Sequence, residues 1–508
     1  MKFQVTQLIG CAALGAVLAS GAASALAVER AVVDHAFVAQ MAAEVAREPY
    51  EPPREQVTGF FRQLSYDQYR RIRFLPDASL WRADNLPFQV QFFHPGYLFS
   101  QTLELNEFTP THTQPIPFSV KSFDYQELKP SFWARRGLNF AGFRVIHELN
   151  EPGKWDEVIS FLGASYFRAL AKGQRYGISA RGLALNAGGP AAEEFPNFIE
   201  FWLGKPAAGA TSLTLHALLA SRSVTGAYTF VVRPGVATTV DVHATLYFRA
   251  SVENVGLAPM SSMFWFGENS RDRFGDFRPE VHDSDGLLVA PRADERVWRP
   301  LTNPAELTRS DLPAPALAGF GLLQRDREFR SYEDLEAYYH VRPSLWVEAI
   351  GQWPAGRVRL VEIPTRDEYH DNIAAFFTPD TPPVPGKPIE LSWRLHWTNE
   401  PVFGGPAGFV RSTRQTVQDG PAGRTRYVVD FAGIPAEVAP DAPVVADIAL
   451  GGPAKLEQHQ VSHNPHDGTW RLVLVLAAEP GAVATDLRAR LKLGDRVLSE
   501  TWTLAWKP

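Results

Sequence analysis

A chain of 508 residues is longer than one compact core usually serves, so two domains are expected, and 45% apolar with 21% charged residues excludes a disordered polypeptide. The formal net charge of −6 argues against a nucleic-acid binder, which draws on an excess of Lys and Arg. Aromatics at 12%, including 13 Trp, fit a neutral ligand with flat apolar faces better.

Met1-Lys2 gives a positive start, Leu8 to Ala23 is apolar and small, and Ala25-Leu26-Ala27 is a small-x-small cleavage pattern. Residues 1–27 thus read as a Sec-type secretory signal cut after Ala27. No later stretch reaches about 18 uninterrupted apolar residues. The one cysteine, Cys11, lies inside the signal, so the mature chain is expected to have no disulfide, thiolate metal site or cysteine nucleophile. Leu8-Ile9-Gly10-Cys11 looks like a lipoprotein box, but too few apolar residues precede it to form a signal core.

Next, Val33, Phe37, Met41 and Val45 recur at helical spacing before Pro52-Pro53, predicting a helix over 31–47, and a second short helix is expected from Ser65. Beyond Leu80 the texture becomes short apolar or alternating runs broken by Gly, Pro and Asn; Val240 to Phe248 alternates most clearly. A helix is expected around Trp155 to Ala171. The stretch 378–388, with five prolines, reads as a boundary that separates a domain over 28–378 from one over 389–508, joined by a Pro-rich linker at 379–388. Strand-like runs follow, among them IELSWRLHW, RYVVDFAG and TWTLAW. The fold class expected is all-β dominated: a large antiparallel sandwich, then an immunoglobulin-like one.

Several catalytic motifs are excluded. His147-Glu148 lacks the second histidine of a zinc protease, Gly319-Phe320-Gly321 lacks the third glycine of a dinucleotide loop, and no Gly-x-Ser-x-Gly elbow or phosphate-binding loop occurs. No metal or cofactor is expected. Two acidic, aromatic-rich stretches remain. Met263 to Gly286 carries Trp265, Glu268, Asp283 and Asp285; Asp-x-Asp-Gly is also ordinary turn chemistry. Glu362 to Asn372 carries Asp367, Glu368 and Asp371, downstream of Arg325, Tyr338, Tyr339 and Trp346. Glycosidic cleavage needs two carboxyls, one protonated and one ionised, and two separated acidic clusters meet that need. The alternative for the second cluster is a solvated loop of weak ion pairs.

The runs GFRVIHELN (142–150), FLGASYFRALAKGQRYGISARGLALN (161–186), EEFPNFIEFWLGKP (193–206), FRPEVHDSDGL (277–287), WRPLTNP (298–304), GFGLLQRDREF (319–329) and VEIPTRDEYHDNI (361–373) closely resemble the periplasmic glucan biosynthesis protein G/D family, which serves osmoregulated periplasmic glucans. The resemblance implies a periplasmic protein with a galactose-mutarotase-like N-terminal sandwich, and a cleft for β-1,2-linked glucan. It further implies an inverting endo-β-1,2-glucanase or a transglycosylase. Carried onto matching motifs, the general acid is Asp371 of Tyr369-His370-Asp371-Asn372, and the base is Asp283 of the motif 280–286, with Asp285 two residues away as the other choice. Glucan contacts are expected from Trp265, Tyr338, Tyr339 and Trp346 by stacking, and from Glu268, Asp285 and Arg325 by hydrogen bonds. The rival reading is a non-catalytic scaffold that partners a membrane glucan synthase; a homodimer is compatible with either.

Overall fold

The computed structural model describes residues 33–52, 57, 59–271, 274–400, 408–417, 424–478 and 485–506. The expected signal at 1–27, with Cys11 and the cut after Ala27, lies outside them.

Alternation sets the architecture. In strand Thr238–Phe248, residues Val240, Val242, Ala244, Leu246 and Phe248 are buried on one face. The strand pairs antiparallel with Val224–Arg233 on one side and Ile389–Thr398 on the other. These belong to a 15-stranded sheet, which faces a 10-stranded sheet across a core that includes Phe143, Phe161, Phe201, Phe230 and Phe377. The 10-stranded sheet runs from Gln89–Phe93 through Gly142–His147, Asp156–Leu162, Tyr166–Ala169, Ser179–Arg181, Val255–Ser262, Ile373–Pro379 and Gly356–Glu362 to Thr308–Ala314.

A second, smaller sandwich lies toward the C-terminus. A four-stranded sheet of Phe409–Val417, Arg424–Ala432, Trp470–Ala478 and Ala454–His463 shares a core with Thr485–Leu493 and Thr501–Trp506 around Phe431, Leu472, Leu491 and Trp502. Those latter strands are the end of the 15-stranded sheet itself: Thr501–Trp506 pairs parallel with Glu295–Pro300 through Val297–Thr501 and Trp298–Trp502. The β-dominated, two-sandwich expectation agrees with this arrangement.

Both N-terminal helices form. His35–Arg47 starts at Asp34, whose Oδ1 accepts the Phe37 N–H at 2.8 Å, and it buries Val38 and Ala42 against Trp202, Leu218 and Ala227. Ser65 opens Tyr66–Tyr69 with a reciprocal capping box to Gln68.

Two expectations are corrected. The helix expected over Trp155 to Ala171 is a hairpin of strands Asp156–Leu162 and Tyr166–Ala169, turning at Gly163 and Ala164 with φ of 80° and 44°. Its apolar run satisfies period two as well as period 3.6, and sheet partners on both sides decide the matter. The Pro-rich stretch ends Ile373–Pro379, but the strand after it, Ile389–Thr398, pairs with Thr238–Phe248 and Ser344–Ile350 in the larger sandwich. A proline cluster stops a strand; it does not say which layer the next strand joins.

Candidate active site

On strands Tyr166–Ala169 and Ser179–Arg181, Phe167, Ala169 and Ala180 enter the core, which leaves Tyr166, Arg168 and Arg181 on the opposite face. Tyr166 and Arg181 are directly paired across the ladder, and the guanidinium lies 4.5 Å from the tyrosine ring centroid. Arg181 also donates to Ser261 Oγ at 2.9 Å and to Glu193 Oε1 at 2.8 Å. Asp371 stands just before Ile373–Pro379, two strands away in the same sheet. Its side chain is solvent-exposed, yet lost hydration pushes its carboxyl above the usual range, against the pull of Arg168, Arg181 and Arg342.

Asp283 reaches the same neighbourhood by a short chain of contacts. The buried Asn372 accepts the Phe264 N–H at 2.8 Å through Oδ1, and donates through Nδ2 to the carbonyls of Phe264 and Ile363, both at 3.0 Å. Strand Phe264–Phe266 pairs with Val281–His282, Phe264 opposite His282, and the next residue, Asp283, donates its N–H to Met263 O at 2.8 Å. The buried Asp283 carboxylate accepts a hydrogen bond from Arg342. Burial raises the Asp283 carboxyl, Arg342 opposes that, and the charge of Asp371 adds to the rise. The charge of Asp371 thus bears on Asp283, and the Arg342 guanidinium pulls both carboxyls down.

Arg342 and the loop before Asp371 are held in place. The Arg342 guanidinium sits 4.2 Å from the Tyr339 ring centroid, and the Tyr339 hydroxyl donates to Glu368. Glu368 also accepts two bonds from Arg278, at 2.9 and 3.1 Å, and Arg278 is further paired with Asp276 and Asp334. Asn303 accepts the Thr365 N–H at 3.0 Å and donates to the carbonyls of Thr365 and Trp265.

Residues 33–506 match the family described as Periplasmic glucan biosynthesis protein, MdoG. The chain belongs to this family. It is 45% identical to Glucans biosynthesis protein G of Ralstonia nicotianae over 93% of this chain and 95% of that protein. It is 44% identical to the protein of that name in Rhodopseudomonas palustris strain CGA009, over 93% of each. With the Sodalis glossinidius protein of the same name it shares 42% identity, over 92% of this chain and 91% of that protein.

In this member of the periplasmic glucan biosynthesis family, the remaining residues singled out from sequence fall in three places. Tyr339 is buried under the Arg342 guanidinium, so its expected stacking on glucan is withdrawn, and the half-buried Trp265 is joined through Asn303 to the loop that ends at Asp371, its ring stacked on Phe274 at 5.4 Å. Tyr338 takes a left-handed backbone, φ 53°, with Arg175 4.7 Å from its ring centroid.

Asp285 and Glu268 turn instead toward a cavity that both sandwiches line, together with Glu280, Trp298, Asp326 and Thr413. Asp285 Oδ2 accepts the N–H groups of Arg325 and Asp326 at 2.8 and 2.9 Å, so the two aspartates of the motif serve different surroundings. Glu268 accepts the Thr413 N–H at 2.6 Å, and burial followed by the charge of Glu280 pushes its carboxyl up to about 8. Oxygens of Glu268, Glu280 and Asp326 lie within 4.8 Å of one another, with Glu280 also 2.8 Å from His282 Nε2.

Arg325 and Trp346 are engaged elsewhere. Arg325 forks onto Glu500 at 2.6 and 3.0 Å and lies 3.6 Å from the Trp298 ring centroid, tying the two sandwiches together. Trp346 is fully buried, and a Cβ at Gly319 would come within 2.4 Å of its ring, so the glycines of Gly319-Phe320-Gly321 are there to admit an indole. Its expected stacking on glucan is withdrawn for the same reason. The reading by residue type missed Tyr166, Arg168, Arg181 and Arg342. Alternation of Tyr166 and Arg168 about Phe167 was their signal, hidden by the helix expected there.

Proposed function

We propose that the protein acts in the periplasm on the β-1,2-linked glucan backbone as an anomer-inverting glycoside hydrolase or transglycosylase. The observation that carries this reading is the Asn372 clasp on Phe264, which sets the loop of Asp371 against the strand leading to Asp283, whose carboxylate accepts a hydrogen bond from Arg342. Asp371, whose carboxyl is raised by crowding, is suited to keep its proton and give it to the departing glycosidic oxygen as positive charge develops at the anomeric carbon. Both carboxyls are raised, but Asp283 alone accepts a hydrogen bond from Arg342, and that ion pair assigns it the negative charge and the role of accepting a proton from the attacking water or acceptor hydroxyl, by way of intervening waters because the carboxylate is buried. One proton leaves Asp371 and one arrives at Asp283, and exchange with solvent restores both. Tyr166, Arg168 and Arg181 supply a flat face and hydroxyl-binding cations beside the acid.

The test is incubation of purified mature protein with linear β-1,2-glucan, scored for chain length and for the anomer released. Shorter chains with an inverted new end are expected. Unchanged chains over a long incubation, with binding retained, would leave the scaffold for a membrane synthase as the better reading.

A further inference from the structure

We propose that the basic, aromatic lobe built on Phe61 and Leu64 docks on the surface of an anionic phospholipid bilayer. The lobe has its own small core, in which Phe61 and Leu64 pack with Tyr69, Ile72, Leu128 and Leu138, so helix Tyr66–Tyr69 and the segment 125–138 form one body. Two large aromatics project from it: Phe132 is 63% and Trp133 74% exposed, although burial would ordinarily claim both. Arg136 covers them, its guanidinium 5.7 Å from one ring centroid and 5.5 Å from the other.

Charge selects the partner. From Leu128 to Phe140 there is no Asp or Glu, while Lys129, Arg135 and Arg136 are present, in a chain whose net charge is −6. Among the described residues, Lys129, Arg135 and Arg136 pair with no carboxylate. The other half of the lobe adds a recess lined by Arg70, Arg71 and Arg73 with Asp67 and Gln126. Asp67 and Glu127 neutralise part of it, at 3.9 Å from Arg70 and 3.2 Å from Arg71. Guanidiniums around a recess suit a phosphodiester headgroup, and a protruding Phe-Trp pair flanked by cations suits the boundary between headgroups and acyl chains. The segment is anchored at its base by the buried Pro130 and Phe140, so its tip can enter that boundary without unfolding.

The test is flotation of the full mature chain with vesicles of phosphatidylglycerol and phosphatidylcholine, against vesicles of phosphatidylcholine alone. Binding to the anionic vesicles only, weakening with salt, is expected. Arg135→Ser with Arg136→Ser should weaken it roughly thirty-fold, at about fivefold for each cation near such a surface. Phe132→Ser with Trp133→Ser should abolish retention at moderate salt. Both double variants should keep the wild-type circular dichroism, thermal midpoint and glucan chemistry. No binding to the anionic vesicles at low salt overturns the proposal, and so does binding that survives both double variants. Loss of self-association in Phe132→Ser with Trp133→Ser, with vesicle binding intact, would reassign the surface to a second copy of the chain and overturn it too.

Discussion

Asn372 clasps the backbone of Phe264 from both sides, accepting its N–H at 2.8 Å and donating to its carbonyl at 3.0 Å. Since Phe264 lies opposite His282 and Asp371 precedes Asn372, this one side chain fixes the loop of the proposed acid against the strand that leads to the proposed base. Asn372→Ala leaves three backbone groups without partners, at roughly 1–3 kcal/mol for each that stays buried and unpaired. Urea unfolding should register the lower midpoint. Turnover on β-1,2-glucan should fall more than the Michaelis constant changes, because the proposed binding surface of Tyr166 and Arg181 is untouched.

Asp371→Asn should lower turnover by roughly two to four orders of magnitude, the usual contribution of a positioned general acid, while oligosaccharide binding persists. Calorimetry with a β-1,2-gluco-oligosaccharide measures the second quantity. Wild-type turnover in the variant would remove Asp371 from the chemistry.

Arg342→Met takes the cation away from Asp283 and leaves a carboxyl buried without its partner. Loss of one member of such a buried pair costs roughly 3–5 kcal/mol. Removal of the guanidinium, which now opposes the burial-driven rise, should lift the Asp283 carboxyl further. The acid limb of the pH–activity profile, where the base gains its proton, should therefore move to higher pH.

Glu268, pushed up to about 8 by burial and by Glu280, has the opposite linkage from an ordinary surface carboxylate. Its folded value lies above its unfolded one, so its share of stability is full below about 4.5 and is lost as pH rises toward 8. Glu268→Gln should flatten this fall. Thermal midpoints from pH 5 to pH 9 would show it, with the variant gaining on the wild type toward the alkaline end.

Beneath helix His35–Arg47, His35 lies 2.9 Å from Thr229 Oγ1 and 2.8 Å from Thr245 Oγ1, and His216 lies 2.8 Å from Thr229 Oγ1. Burial lowers both imidazoles to about 4; His243 and His216 push His35 the same way, and Asp34 pulls both back. A depressed histidine favours the fold above about 6.5 and loses that contribution as pH falls toward 4. Hydrogen exchange in 35–47 should accelerate over that range, and less so in His35→Gln.

Much of this was legible from residues. Period-two alternation, as in Val240 to Phe248, marks a half-buried strand, and Ser65 opens the short helix expected from it, whereas the first helix begins at His35 after the Asp34 cap, later than the expected 31. The aspartate motifs stood out because clustered carboxylates are costly to bury without purpose. What escaped notice depended on partners distant in sequence. Arg342 is read as functional only once Asp283, 59 residues earlier, is seen to accept its hydrogen bond. Arg325 and Trp346 carry suitable chemistry but are taken up by Glu500 and by the core. Gly286 seemed the end of a turn, whereas a Cβ there would fall 2.0 Å from the Trp298 ring.

The parallel ladder of Val297 and Trp298 with Thr501 and Trp502 gives the last strand of the chain a protective duty. Were synthesis to stop before Glu500, the flank of Glu295–Pro300 would present bare amides and carbonyls, and Arg325 would lose the carboxylate that neutralises it. Shortened chains should accordingly clump and be degraded, however well the larger sandwich is formed.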